Sequence, residues 1–158
     1  MAIASTTANL GDGGGGGNGS LNFTIPSDFD RGREVQQRIL DAVERHAFSS
    51  DAQFAIRLAL EEALINAIKH GNKLDADKQV KIIARVTDEA AEIEIHDEGA
   101  GFDRADIPDP TLEENLAKCS GRGVLLIEAY MSEAEWTDGG RRLRMLKRNA
   151  KEEPVIPD

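Results

Sequence analysis

Three polar side chains that could take part in chemistry recur at helical spacing near the middle of the chain. Glu62, Asn66 and Lys69 are four and three residues apart, which puts them on one stripe of an α-helix. The surrounding segment is apolar almost all round, as is typical of a buried helix, and the stripe also contains the small residues Ala55 and Ala59. This pattern predicts a cavity in which a polar ligand lies against the helix. The alternative is an ordinary charged edge that faces solvent.

A carboxylate is predicted to lie on the buried side of a strand. The isoleucines of the segment 91–97 point to one face, and Asp97 is in phase with them. Burying an ionised carboxylate without hydrogen-bond donors is costly, so a following backbone amide or a ligand amino group must satisfy it. Gly99 and Gly101 come next and permit a sharp turn or the close approach of a bound molecule. The alternative is a strand that ends in an Asp-capped turn.

A third feature is the segment Ser120–Gly123, which precedes a predicted apolar helix at 124–130. Free amides at a helix start, with glycines beside them and Arg122 nearby, form an anion site. The alternative is an ordinary flexible junction.

A single nucleotide accounts for all three features. The Asp97 carboxylate accepts the adenine amino group, and Asn66 binds a magnesium ion that bridges the phosphates. The backbone amides of Gly121–Val124 hold the phosphate oxygens.

The elements that must position these residues are short and mixed in type. The sequence predicts strands at 21–25, 79–87 and 90–97, helices at about 28–46, 50–71 and 124–130, a long loop at 98–122, and a hairpin of 132–137 with 141–147 across Asp138–Gly140. Hairpin-linked strands among helices indicate an α/β fold, a two-layer sandwich. Its mixed, mainly antiparallel sheet is covered by helices on one face.

Composition bounds the class of protein. Of 158 residues, 19 are Lys or Arg and 29 are Asp or Glu, so the net charge is −10, which disfavours nucleic acid as a partner. No apolar run approaches the roughly 18 residues that cross a bilayer. The start of the chain does not resemble a secretory signal. The single cysteine, Cys119, excludes an internal disulfide, so we expect a cytoplasmic protein without membrane contact.

The domain boundaries follow from composition. Seven of the 15 glycines lie between residues 11 and 19, which predicts that residues 1–20 form a disordered Gly-rich tail. The folded domain is expected at 21–148, with a flexible C-terminal tail at 149–158. The basic run that includes Arg141, Arg142 and Arg144 is interpreted as a solvated edge strand or as a docking stripe for an acidic partner.

Three segments together resemble a known family. EEALINAIKHGN resembles the N box, HDEGAGFD the first glycine box and SGRGVLLIEAY the second glycine box of the GHKL (Bergerat-fold) ATP-binding superfamily. The resemblance covers about residues 21–148. It is strongest to the small bacterial anti-sigma-factor serine kinases, and it implies the Bergerat, histidine-kinase-like ATPase fold.

The resemblance implies a role for each matching residue. Asn66 matches the magnesium-binding asparagine, Glu62 the catalytic carboxylate and Asp97 the aspartate that specifies adenine. Residues 103–120 match the ATP lid. The remaining positions implied to bind the nucleotide are Lys69, His70, Gly99, Gly101, Gly121, Arg122, Gly123 and Val124, and the histidine can equally be structural.

The implied activity is phosphoryl transfer from Mg·ATP to a serine or threonine of a STAS-type anti-anti-sigma protein. The same resemblance implies a homodimer that binds a sigma factor in its alternative state. Two alternatives stay open: an ATP-binding partner-switching module that transfers no phosphate, and a kinase of a STAS pathway without a sigma factor. A histidine kinase is disfavoured, because the single helix near 28–46 leaves no room for a phosphoacceptor hairpin.

Overall fold

The computed structural model describes residues 20–102 and 119–150, with the backbone alone for 119–121. Its strands are β1 (Ser20–Pro26), β2 (Gln79–Val86), β3 (Ala90–His96), β4 (Glu133–Thr137) and β5 (Arg142–Arg148). Its helices are α1 (Phe29–Arg45), α2 (Ser50–Ile65) and α3 (Cys119–Tyr130), with a π-helical turn (Asn66–Gly71) that continues α2 and a 3₁₀ turn (Asp138–Gly140) between β4 and β5. None of the helices in these ranges is long and apolar enough to cross a membrane.

The five strands form one sheet in the order β1-β2-β3-β5-β4. The helices and this sheet confirm the predicted α/β fold. All four strand pairings in the described sheet are antiparallel, so the sheet is not mixed there as expected. β5 is the last strand in sequence but lies between β3 and β4.

The core lies between one face of the sheet and the three helices. Alternate residues of each central strand are buried, and the register pairs Ile82 with Ile95 and Ile95 with Leu143, which aligns the apolar faces. Burial of each such side chain contributes about 1.5–3 kcal/mol. The helices fill this layer with fully buried residues that include Ile39, Ile56, Leu60 and Ile127.

The opposite face of the sheet carries cross-strand ion pairs. Arg142 lies 2.9 Å from Glu94, and Arg144 lies 2.9 Å from Glu92. The interpretation of the basic run as an edge strand is therefore wrong: β5 is an interior strand, and Arg142 and Arg144 pair with glutamates of β3. The sequence pattern indicated the charged positions of β5, but it did not indicate that β3 lies beside this strand.

α2 begins at Ser50, at the predicted position, and is capped by Ser49, whose Oγ accepts the amide of Ala52 at 3.1 Å. The start of α3 differs from the one predicted. α3 begins at Cys119, whereas the sequence predicted a start at residue 124. The glycines in its first turns have a low helix propensity, so the sequence pattern there did not indicate a helix.

At both ends, ordered residues extend beyond the predicted bounds of the folded domain. Ser20 belongs to β1. Asn149, placed in the tail by the sequence, donates its amide to the carbonyl of Glu89 at 2.8 Å. The predicted Gly-rich tail up to residue 19, the ATP lid at 103–118 and residues 151–158 lie outside the described residues.

Candidate active site

Glu62 and Asn66 lie on the side of α2 that faces α3. A Cβ placed on Gly123 would lie 2.9 Å from Glu62 Oε2 and 3.1 Å from Asn66 Nδ2, so a larger residue would force these two side-chain ends or the helix to shift. Glycine at this position therefore lets the backbone of α3 pack directly against the carboxylate and the amide. The structure brings together Glu62, Asn66 and Gly123, as the sequence predicted, and we call this group the phosphate end.

The start of α3 changes the expectation for the helix amides. In a helix that begins at Cys119, the free amides are those of the first turn, which includes Gly121 and Arg122. The amides of Gly123 and Val124 fall in the second turn and point to carbonyls four residues earlier. Val124 is also only 1% exposed. Their assignment to phosphate oxygens stays a prediction that this placement does not support.

Asp97 follows β3 directly and is half-buried. Its amide donates to the carbonyl of Arg141 at 2.9 Å, and its Oδ1 accepts the amide of Gly99 at 2.8 Å. The carboxylate thus caps its own turn, as the alternative interpretation expected, and this bond uses one of its two oxygens. A Cβ on Gly71 would lie 2.7 Å from Asp97 Cγ, so the end of the π-helical turn rests against the carboxyl group.

Burial raises the pKa of Asp97 above its ordinary value of 3.8. The amide of Gly99 and the charge of Arg141 act in the opposite direction. These donors are what a half-buried carboxylate needs in order to remain an acceptor.

The two glycines after Asp97 lie at close backbone contacts. Gly99 packs against the backbone of Gly71, and Gly101 has φ of 79° beside the carbonyl of Gly139. We call residues 97–102 with Gly71 the nucleobase end. A cavity of about 540 Å³ opens next to it, lined in part by Phe102 and Trp136, whose rings meet edge to face with centroids 6.1 Å apart.

Asn72 is a central residue of the site that sequence reasoning missed. It is 0% exposed, and its Nδ2 donates to Ser27 Oγ at 3.1 Å and to the carbonyl of Gln79 at 3.0 Å. Its Oδ1 accepts the amide of Glu98 at 2.8 Å. One side chain therefore ties the end of the α2 segment to the turn that carries Asp97. The only signal in the sequence was an asparagine directly after Gly71.

Lys69 does not share the face of Glu62 and Asn66. It lines a groove between α1 and α2 together with Glu61 and Ile65. The cause is the π-helical turn: it has more residues per turn than an α-helix, so Lys69 falls back toward this groove. The assignment of Lys69 to the phosphates stays a prediction that this placement does not support.

His70 lies in the same π-helical turn and is half-buried. Burial, together with the neighbouring charge of Lys69, lowers the pKa of His70 below 6.5. Both effects favour the neutral imidazole, and the role of His70 near the phosphates stays a prediction.

Within the part of the chain that the structure describes, no group of three His, Cys, Asp or Glu residues could hold a metal ion. Magnesium usually binds through one or two protein oxygens and completes its shell with phosphates and waters. The Asn66 amide oxygen, beside the Gly123 backbone, fits that mode of binding and not an all-protein metal cage.

The chain is similar to several known proteins. The family model of the histidine kinase-like ATPase domain matches residues 25–147. The chain is 26% identical over 110 residues to a serine-protein kinase RsbW of Listeria innocua serovar 6a, which covers 65% of this chain and 70% of that protein. It is 37% identical over 81 residues to an anti-sigma F factor of Shouchella clausii, which covers 49% of this chain and 55% of that protein.

Proposed function

The chain belongs to the histidine kinase-like ATPase family, and we propose that it is a protein serine/threonine kinase and anti-sigma factor. Its proposed substrate is a STAS-type anti-anti-sigma protein, and its proposed phosphoryl donor is Mg·ATP. The similarity to a serine-protein kinase RsbW and to an anti-sigma F factor supports this proposal. One structural observation carries it: Gly123 lets the second turn of α3 pack against Glu62 and Asn66.

Each end of the site has a proposed task. Asp97, at the nucleobase end, accepts a hydrogen bond from the adenine amino group. Asn66, at the phosphate end, provides a magnesium ligand. Bound Mg·ATP supplies the phosphoryl group and the positive charge that neutralises it during transfer.

Glu62 is the proposed catalytic carboxylate. It is half-buried on a helix whose opposite side is packed in the core, so its position is fixed by α2 rather than by a loop. Such a carboxylate can orient the serine hydroxyl and accept its proton, a contribution of about 10²–10⁴-fold in rate.

The proposal extends to the setting of the reaction. We place the protein in the cytoplasm as a homodimer, with a sigma factor as the partner in its alternative state. These statements rest on the family resemblance, and the structure describes one chain.

The experiment compares Glu62→Ala with Glu61→Ala. Glu61 is the preceding residue and lies on the groove between α1 and α2, so it is a matched control. Each variant is incubated with Mg·ATP and with STAS proteins encoded nearby, and intact mass is measured for a single added phosphate. We expect Glu62→Ala to lose about 10²–10⁴-fold in phosphorylation rate. Glu61→Ala should remain close to wild type.

Nucleotide affinity, measured by calorimetry, separates catalysis from binding. We expect Glu62→Ala to bind ATP about as tightly as wild type. Phosphorylation at the wild-type rate by Glu62→Ala contradicts the catalytic role. A wild-type chain that binds both ATP and a STAS protein but adds no phosphate is instead a partner-switching module.

A further inference from the structure

Arg141 differs from the other arginines of the basic run. Arg142 and Arg144 begin the alternation of β5 and pair with glutamates on the outer face. Arg141 precedes the strand and turns toward the nucleobase end, where its Nη1 donates to the carbonyl of Ala100 at 3.3 Å. Its own carbonyl accepts the amide of Asp97 at 2.9 Å. One residue thus holds both the start and the middle of the turn 97–102.

The turn 97–102 and the 3₁₀ turn at Asp138–Gly140 are interlocked by their backbones. The amide of Phe102 donates to the carbonyl of Gly139 at 2.8 Å. A Cβ on Gly140, whose φ is 90°, would lie 2.7 Å from the nitrogen of Phe102. The guanidinium of Arg141 lies across this junction. A Cβ placed on Gly101 would be 3.1 Å from its Nη1.

The charged groups that face Asp97 come from two elements. Arg141 lowers the pKa of Asp97 and Asp138 raises it, both from the segment between β4 and β5, while His96 at the end of β3 lowers it. The π-helical turn meets the carboxyl group with the backbone of Gly71. Arg141 therefore opposes the effect of burial on the Asp97 carboxyl group.

An ionised acceptor distinguishes nucleobases. Adenine presents an amino donor, whereas hypoxanthine carries a carbonyl oxygen at the same position. A carboxylate repels this oxygen, while a protonated carboxyl group can donate a hydrogen bond to it. We propose that Arg141 is a positioning residue for nucleobase selectivity. It holds the turn 97–102 closed and keeps Asp97 an acceptor, so that ATP is preferred over ITP. This inference rests on the proposed function, in which Asp97 contacts adenine.

The test compares Arg141→Gln with the matched control Arg142→Gln. Calorimetry measures the affinities for ATP and ITP at pH 6 and pH 8. We expect the ATP preference of Arg141→Gln to fall severalfold, with the larger loss at pH 6, where a larger fraction of the Asp97 carboxyl group is protonated. Arg142→Gln should keep the wild-type preference. A purely structural role for Arg141 would weaken ATP and ITP equally, and that result overturns the proposal.

Two further measurements keep the outcome decisive. Carbon-13 NMR of the carboxyl groups in the nucleotide-free protein should show a higher Asp97 pKa in Arg141→Gln than in wild type; an unchanged pKa overturns the proposal.

If Arg141→Gln does not fold, Arg141→Lys replaces it. Lysine keeps the charge but loses the planar fork, so we expect an intermediate preference. A wild-type preference in Arg141→Lys, together with a wild-type Asp97 pKa, shows that charge alone suffices and removes the claim that Arg141 holds the turn.

Asp97→Asn separates the two levels of argument. If the wild-type chain does not prefer ATP over ITP, or if Asp97→Asn keeps that preference, the proposed role of Asp97 fails. If both behave as expected and Arg141→Gln still prefers ATP as wild type does, only the inference about Arg141 fails.

Discussion

The two ends of the candidate site are built in different ways. At the phosphate end, Glu62 and Asn66 project from a helix whose opposite face includes Leu60, a fully buried residue. At the nucleobase end, Asp97 sits on a turn held by hydrogen bonds from residues distant in sequence, above all Asn72 and Arg141. Core packing therefore fixes the group proposed for catalysis, while a hydrogen-bond network fixes the group proposed for recognition. Damage to the first should lower turnover, and damage to the second should lower affinity. Loss of the hydrogen-bond network itself should also lower stability.

Asn72→Ala should have the largest effect, because it removes the centre of the nucleobase end. The change leaves the Glu98 amide and the Ser27 hydroxyl without this partner inside the protein. We expect the free energy of unfolding to fall by about 3 kcal/mol, together with a loss of ATP affinity. Urea denaturation and calorimetry measure the two quantities. Asn149→Ala, which removes an asparagine at the far end of the sheet, is the control and should leave ATP affinity unchanged. Unchanged stability of Asn72→Ala would contradict the hydrogen-bond network.

Gly123→Ala tests the phosphate end. The added methyl group would stand 2.9 Å from Glu62 Oε2, so α3 or the carboxylate must shift. A displacement of this size in a positioning contact costs about 10²-fold in rate. We expect slower phosphorylation with the ATP/ITP preference intact, measured by intact mass and calorimetry. Ala129→Ser, at an exposed position of the same helix, is the control. Wild-type turnover in Gly123→Ala would show that this contact does not position Glu62.

Asp97→Asn separates affinity from stability at the nucleobase end. The raised pKa of Asp97 means that folding favours its protonated form: this contribution is full below pH 3.8 and is lost as pH rises through the higher folded-state pKa. At pH 7 the ionised carboxylate therefore costs stability, which asparagine removes. We expect a thermal midpoint at pH 7 at or above the wild-type value, an advantage that shrinks toward pH 4. ATP affinity should fall about tenfold. A midpoint clearly below wild type at pH 7 contradicts this account.

Arg144→Gln should have the smallest effect, since it lies outside both ends. Its partner Glu92 is 2.9 Å away, but the pair is on the open face of the sheet, where such pairs contribute about 0–1 kcal/mol. We expect a small loss of stability that disappears at high salt, with unchanged turnover and affinity. A change in nucleotide binding would indicate that the outer face is coupled to the site.

Local rules sufficed for the residues that lie on regular elements. The alternation of β3 placed Asp97 at the buried side of a strand end, and the four-residue spacing placed Glu62 with Asn66. The fold class followed because hairpin-linked strands with apolar alternation leave one face to be covered by helices.

The rest depended on contacts between distant parts of the chain. The partners of Asn72 include Ser27, which is 45 residues away, and no periodicity encodes that pairing. Lys69 was misplaced because its stripe assumed regular α-helical geometry through a π-helical turn. In the sequence, Arg141 does not differ from its neighbours in the basic run. What distinguishes it is the contact between the turn 97–102 and the 3₁₀ turn, which the sequence does not show.

The position of β5 has a consequence for how the protein is made. Because the last strand inserts between β3 and β4, the growing chain exposes an unpaired β3 edge until residue 148 has left the ribosome. Such edges invite pairing with other chains, and the sheet cannot close before β5 has been synthesised. Asp97 also lacks its Arg141 carbonyl until then. Ribosome-bound nascent chains that stop before β5 should therefore neither fold nor retain ATP, and selectivity is acquired only when translation of this strand is complete.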